Sequence, residues 1–128
     1  MTQDDDSAKT PAPDVAAFLR ARLQDDWNYA RDATINSGHW TAERTVVVLD
    51  MGAEIADVFL GPADHIARFD PARVMTEVDA KRAIADAYDR SRRNDGVAAA
   101  SHEGLHTAVL LLASVYADRA GYREEWRP

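Results

Sequence analysis

Five consecutive residues, Thr45-Val46-Val47-Val48-Leu49, constrain this chain more than any others. Their β-branched side chains are stiff at χ1 and pack well on a pleated surface. The run is too short to stand as a helix. Asp50-Met51-Gly52-Ala53 follows as a turn, because Gly52 can take φ > 0. Ile55 to Leu60 then reads as the return strand, giving a β-hairpin over about residues 44–60. A lone hairpin is marginal in water. Its apolar face must therefore be covered by the domain's own helices or by another subunit.

The rest of the chain carries the helical period. Val15, Phe18, Leu19, Leu23, Trp27 and Ala30 recur at three- and four-residue steps. They predict an amphipathic helix opening at Asp14 and ending near Asp32. Gly61-Pro62 is expected to break the return strand, with a short helix over Ala63–Phe69. Asp70-Pro71 is a strong helix start, an N-cap carboxylate followed by a proline that needs no N–H. It predicts a long helix from Pro71 to about Arg92, with Val74, Val78, Ile84, Ala85 and Tyr88 inward. Glu77/Lys81, Asp86/Arg90 and Asp89/Arg93 lie outside, each pair contributing about 0.2–0.5 kcal/mol. A last helix, capped by Ser101, is expected from His102 to about Ala120, with Gly121 after it. Its Leu105–Tyr116 segment is apolar nearly all round, which predicts a central position. The fold class is therefore α+β and predominantly helical: about three main helices, a short one and the hairpin.

Composition sets the outer bounds. The chain has 128 residues, one domain's worth, with 46% hydrophobic and 29% charged residues. Residues 1–12 are acidic, polar and aperiodic, and read as a disordered tail before a single domain over 13–128. There is no cysteine, so disulfides, thiolate catalysis and cysteine zinc sites are excluded. The opening residues do not form a signal peptide, and the apolar run Ala108–Ala117 is too short for a bilayer. The expected location is cytoplasmic, with no membrane partner. A net charge of −7 disfavours general nucleic-acid binding.

Three segments carry a family resemblance. They are Asp14–Leu23, His65–Arg82 with its His65-Ile66-Ala67-Arg68-Phe69-Asp70-Pro71 core, and Tyr116–Trp126. Together they resemble an uncharacterised domain-of-unknown-function family of small proteins found in actinobacteria and their phages. The resemblance implies no activity. Two departures stand out. Ala33-Thr34-Ile35-Asn36-Ser37-Gly38-His39-Trp40 replaces a pattern like Ala-Thr-Pro-Gly-Pro-Trp, and the region Asn94 to Leu105 lacks the cysteine cluster of many relatives.

Four constellations are weighed for function. His65, Arg68, Asp70 and Arg73 concentrate polar residues where the resemblance is densest, and form the candidate binding cluster. The plain alternative is a structural charge network at a helix corner. His102-Glu103-Gly104-Leu105-His106 fits a zinc pattern of two histidines at i and i+4. It needs a third ligand, with His65, His39 and Asp118 as candidates, and Gly104 weakens its helix. The plain alternative is two surface histidines. Lys81, Arg82, Arg90, Arg92 and Arg93 are the most basic stretch, yet acids one turn earlier match three of them. Trp27, Trp40, Tyr122 and Trp126 can line a pocket or fill a core, and Tyr122 and Trp126 near the chain's end are candidate interface residues.

No phosphate loop, nucleophile elbow or calcium loop is present. The leading expectation is a non-enzymatic protein-interaction or regulatory module without a cofactor. It would act on a protein partner or as a homodimer, through the hairpin edge or the C-terminal aromatics. The alternatives are a metal-binding domain or metal-dependent enzyme using zinc at His102, Glu103 and His106, and a weak nucleic-acid binder.

Overall fold

A computed structural model of the protein describes residues 14–34, 37–93 and 98–128. The acidic tail expected over residues 1–12 and the Asn94-Asp95-Gly96 loop lie outside the described residues. Four α-helices are described: α1 (Val15–Ala33), α2 (Leu60–Arg68), α3 (Pro71–Arg92) and α4 (Ala99–Ser114). Three strands accompany them: β1 (Trp40–Glu43), β2 (Val46–Leu49) and β3 (Glu54–Asp57). The helix-dominated α+β class holds, and the expected hairpin is β2–β3. The chain divides into two compact units, one of residues 22–83 and one of residues up to 21 with 84–128.

Unit 22–83 contains the sheet, in the order β1-β2-β3 and antiparallel throughout. The sequence reading missed β1. Trp40 pairs with Leu49 and Glu43 with Val46, although alanine and glutamate are poor strand formers. The turn between these strands holds Arg44 at φ 62°, a left-handed conformation uncommon outside glycine and asparagine. The return strand is shorter than expected. It ends at Asp57, with a bulge opposite Val47/Val48. Leu60 already belongs to α2, so Gly61-Pro62 opens a helix rather than ending a strand. A proline in a first turn forfeits no intrahelical bond.

Val47, Val48 and Leu49 are buried in succession. Because side chains alternate between faces, both faces of β2 are covered. α2 packs on β1 and β2 from one side, and β1 pairs with the β2 edge that the hairpin leaves open. The marginal hairpin is thus stabilised from within its own unit.

Among its described residues, unit 14–21 with 84–128 contains helices and turns and no strand. Val15, Ala16, Phe18 and Leu19 are buried in it, as are Ala85, Tyr88, Val109, Ala113 and Tyr116. Asp14 caps α1, its Oδ1 accepting from the Ala17 N–H at 2.7 Å. Arg20 reaches Asp86 at 2.8 Å and Asp89 at 2.6 Å, so both acids serve this contact.

The last helix differs from the expectation at both ends. It starts at Ala99, with Ala98 as an N-cap that makes no side-chain bond, so Ser101 is helical rather than a cap. It stops at Ser114, not Ala120. There the backbone bonds tighten to the i−3 carbonyl, with Tyr116 N donating to Ala113 O and Ala117 N to Ser114 O. The segment is also less central than its composition implies, since Leu111 is 52% exposed and Val115, just past the helix, 70%.

After the helix, Gly121 takes φ 93°, and a Cβ there would sit 3.7 Å from the Phe18 ring. The chain then closes on itself through a short 3₁₀ turn, Glu124–Trp126. Phe18, Tyr122 and Trp126 form a ring cluster with centroids 5.3–5.7 Å apart. The expected interface residue Trp126 is therefore buried on its own chain.

Candidate functional site

The corner before α3 is built around Asp70. Its Oδ1 accepts from the Arg73 N–H at 2.9 Å, the predicted N-cap. Its Oδ2 accepts from the backbone N–H of Trp40 at 3.1 Å, and His39 Nδ1 lies 3.9 Å away. One carboxylate thus starts α3 and pins the beginning of β1. Gly38 completes the joint. It takes φ 77°, its carbonyl accepts from Ala72 N at 3.2 Å, and a Cβ there would come within 3.4 Å of Ala72 N and Pro71. Glycine adopts this left-handed φ without the strain a side chain would bring.

Two clefts of unit 22–83 flank this corner, and they differ in character. The first, about 420 Å³, is lined mainly by charged and polar residues. Arg68, Asp70 and Arg73 line it with His39, Thr76 and Glu77. Three of the four expected cluster residues are therefore gathered in one cleft. His65 is not among those lining it, and its ring meets Phe69 at a tilt of 38°, centroids 4.8 Å apart. Asp70 is committed to the backbone, and Arg73 Nε bonds Glu77 at 2.8 Å. Arg68 has no carboxylate partner among the described residues.

The second cleft, about 350 Å³, is mainly apolar and aromatic. Its walls carry Tyr29 from α1, Trp40 from β1 and Phe69 from the end of α2, over Pro71 and Val74 of α3. Tyr29 is 76% exposed and Phe69 43% exposed. Asp26 and Glu77 add carboxylates, and no basic side chain lines the cleft among the described residues. The Trp40 indole nitrogen is buried without a hydrogen-bond partner there. Trp40 was legible as a pocket candidate, but Tyr29 and Phe69 were not. Tyr29 carried one usable signal: it falls outside the apolar stripe of α1.

The histidine pair belongs to the other unit. His102 and His106 stack on Tyr88 at 5.7 and 5.4 Å, with their own centroids 6.2 Å apart. His102 Nδ1 lies 2.7 Å from Ser91 Oγ, which donates to the Tyr88 carbonyl. Burial pushes the Tyr88 phenol above its usual range. Among the described residues, no set of three histidine, aspartate or glutamate side chains converges as a metal site. The third ligand that the zinc pattern requires is therefore not found there.

The basic stretch is largely neutralised. Lys81 lies 3.9 Å from Glu77, Arg82 3.7 Å from Asp79, and Arg92 2.6 Å from Asp14. No helix among the described residues is long and apolar enough to cross a membrane.

The fold and clefts define a helix-dominated α+β protein with an open aromatic recess beside a capped helix start. The chain belongs to a family of unknown function, DUF6221, whose pattern matches residues 12–128. That match spans all three segments that carry the resemblance. No curated protein and no solved structure matches the chain.

Proposed function

We propose that the protein is a non-enzymatic interaction module that meets its partner at the aromatic cleft of unit 22–83. One observation carries this reading: Tyr29 and Phe69 leave large aromatic surfaces in water around a concave, mostly apolar recess. Tyrosine and tryptophan dominate binding hot spots, because they bury much area at little conformational cost. Asp70, the capped α3 and β1 hold the recess on regular elements, which favours a pre-formed site over an induced one.

The homodimer reading has less support at the two places first considered for it. Tyr122 and Trp126 pack on Phe18 of their own chain. The β3 edge is guarded by Glu54 and Asp57, which oppose one another when two such strands pair antiparallel about a two-fold.

A photo-crosslinking residue at Tyr29, expressed in the source cells, tests the reading. A discrete adduct that disappears on adding Phe69→Ser is expected. A folded protein that yields no adduct overturns it. An adduct at twice the chain's mass, with a dimer in light scattering, makes the partner a second copy.

A further inference from the structure

The geometry points to a second site, in the other unit: His102 and His106 of α4 form a two-histidine chelate for a divalent transition-metal ion that prefers imidazole, such as nickel or copper. This site does not depend on the aromatic cleft of unit 22–83.

Spacing gives the first argument. Histidines at i and i+4 of a helix share one face, with Cβ atoms about 5–6 Å apart. Both residues lie within α4, Ala99–Ser114, and their ring centroids are 6.2 Å apart. Two imidazoles on one ion, each bonded at about 2.1 Å, place their centroids roughly 4.5–6.5 Å apart, depending on the angle at the metal. The observed spacing falls inside that range, so the helix backbone need not shift.

The support behind His102 gives the second. Ser91 is buried, and its Oγ lies 2.7 Å from His102 Nδ1 while donating to the Tyr88 carbonyl at 2.7 Å. An imidazole that binds metal through Nε2 carries its proton on Nδ1, and Ser91 Oγ then accepts it. A bound ion and this network therefore ask for the same arrangement of protons. Such an outer partner orients the ring and raises its basicity toward the metal. Tyr88 lies nearly parallel to both imidazoles, at 15° and 13°. Among the described residues, His102 Nε2 and both nitrogens of His106 have no hydrogen-bond partner, which leaves them to the ion.

The start of α4 is where an ion has most to add. Ala98 precedes the helix with no side-chain cap, and Gly104, a weak helix former, lies between the two histidines. An ion held by both imidazoles bridges that turn, and its affinity for the folded chain adds to stability. With two protein ligands the site is neither a closed structural zinc centre nor a three-ligand catalytic one, and water completes the shell. Imidazole nitrogen favours copper and nickel over magnesium and calcium, which take oxygen ligands.

The test titrates nickel ion alone into the full chain, prepared without a histidine tag. Saturable binding of a single ion is expected, with none for magnesium. The paramagnetic ion is expected to broaden the imidazole resonances of His102 and His106 first. His102→Gln and His106→Gln each keep one imidazole and are expected to weaken binding at least about tenfold; Ser91→Ala, which keeps both ligands, is expected to weaken it by about tenfold. Nickel is expected to raise the melting temperature of the unaltered chain and not of the two glutamine variants. No saturable binding, undiminished affinity in both glutamine variants, or broadening centred on His39 or His65 overturns the inference. Full affinity in Ser91→Ala marks an adventitious pair and overturns it as well.

Discussion

The two units spend their aromatic residues in opposite ways. In the unit of residues 14–21 and 84–128, Phe18, Tyr122 and Trp126 are turned on one another, and Tyr88 stacks with two histidines. In unit 22–83, Tyr29 and Phe69 leave much of their surface in water at the rim of a recess. Rings enclosed by other rings contribute to stability, whereas rings left open are available for recognition. The contrast separates a unit that holds the chain's end in place from a unit that presents a surface.

The largest test of this contrast is Trp126→Ala. Removing a buried indole is expected to cost about 3 kcal/mol in urea unfolding. A loss under about 1 kcal/mol makes the C-terminal turn a loose flap and erases the distinction.

Asp70→Ala comes next, at about 2 kcal/mol. The helix cap and the bond to Trp40 N–H each contribute roughly 1 kcal/mol. Asp70→Asn, which can still accept from the α3 backbone, is expected to recover about half. If Asp70→Ala leaves the Trp40 indole N–H resonance in place, the corner is not what positions the recess.

Asp14→Asn probes electrostatics in the other unit. The Ala17 N–H holds the Asp14 carboxyl below its ordinary value against the opposing effect of burial, and Arg92 adds to the lowering. A depressed folded pKa means the contribution is complete above about pH 4 and is lost as pH falls through the folded value. The pair is half exposed, so the effect is expected to stay below about 1 kcal/mol. Asparagine keeps the cap, so the variant should lose the acid-side slope while remaining folded. An unchanged slope between pH 5 and 2 refutes the assignment.

Tyr29→Ser carries the smallest expected change in stability, within about 0.5 kcal/mol, because the ring is mostly in water. It should nonetheless remove partner binding. A large loss of stability instead makes Tyr29 a packing residue and collapses the comparison.

Legibility followed the range of the interactions. The α3 boundaries, Pro71 to Arg92, were readable because cap and proline act within one turn. The β2–β3 hairpin was readable from valines and a glycine turn. β1 was hidden, because Trp40-Thr41-Ala42-Glu43 becomes a strand only by pairing with β2. The early end of α4 was hidden too, since no breaker stands at Ser114. Within the polar cluster, Arg68, Asp70 and Arg73 were close in sequence and so were found together. Tyr29 and Phe69 are forty residues apart along the chain, and no local pattern links them.

The sequence by itself therefore determined the helix-dominated class, the capped start of α3 and the need to cover a valine-rich strand. Those follow from propensities, caps and periodicity, which act over a few residues. The tertiary structure decided what covers that strand, where the C-terminal aromatics go and which rings surround an open recess. Each of these depends on contacts between distant parts of the chain, whose free energy no single segment carries.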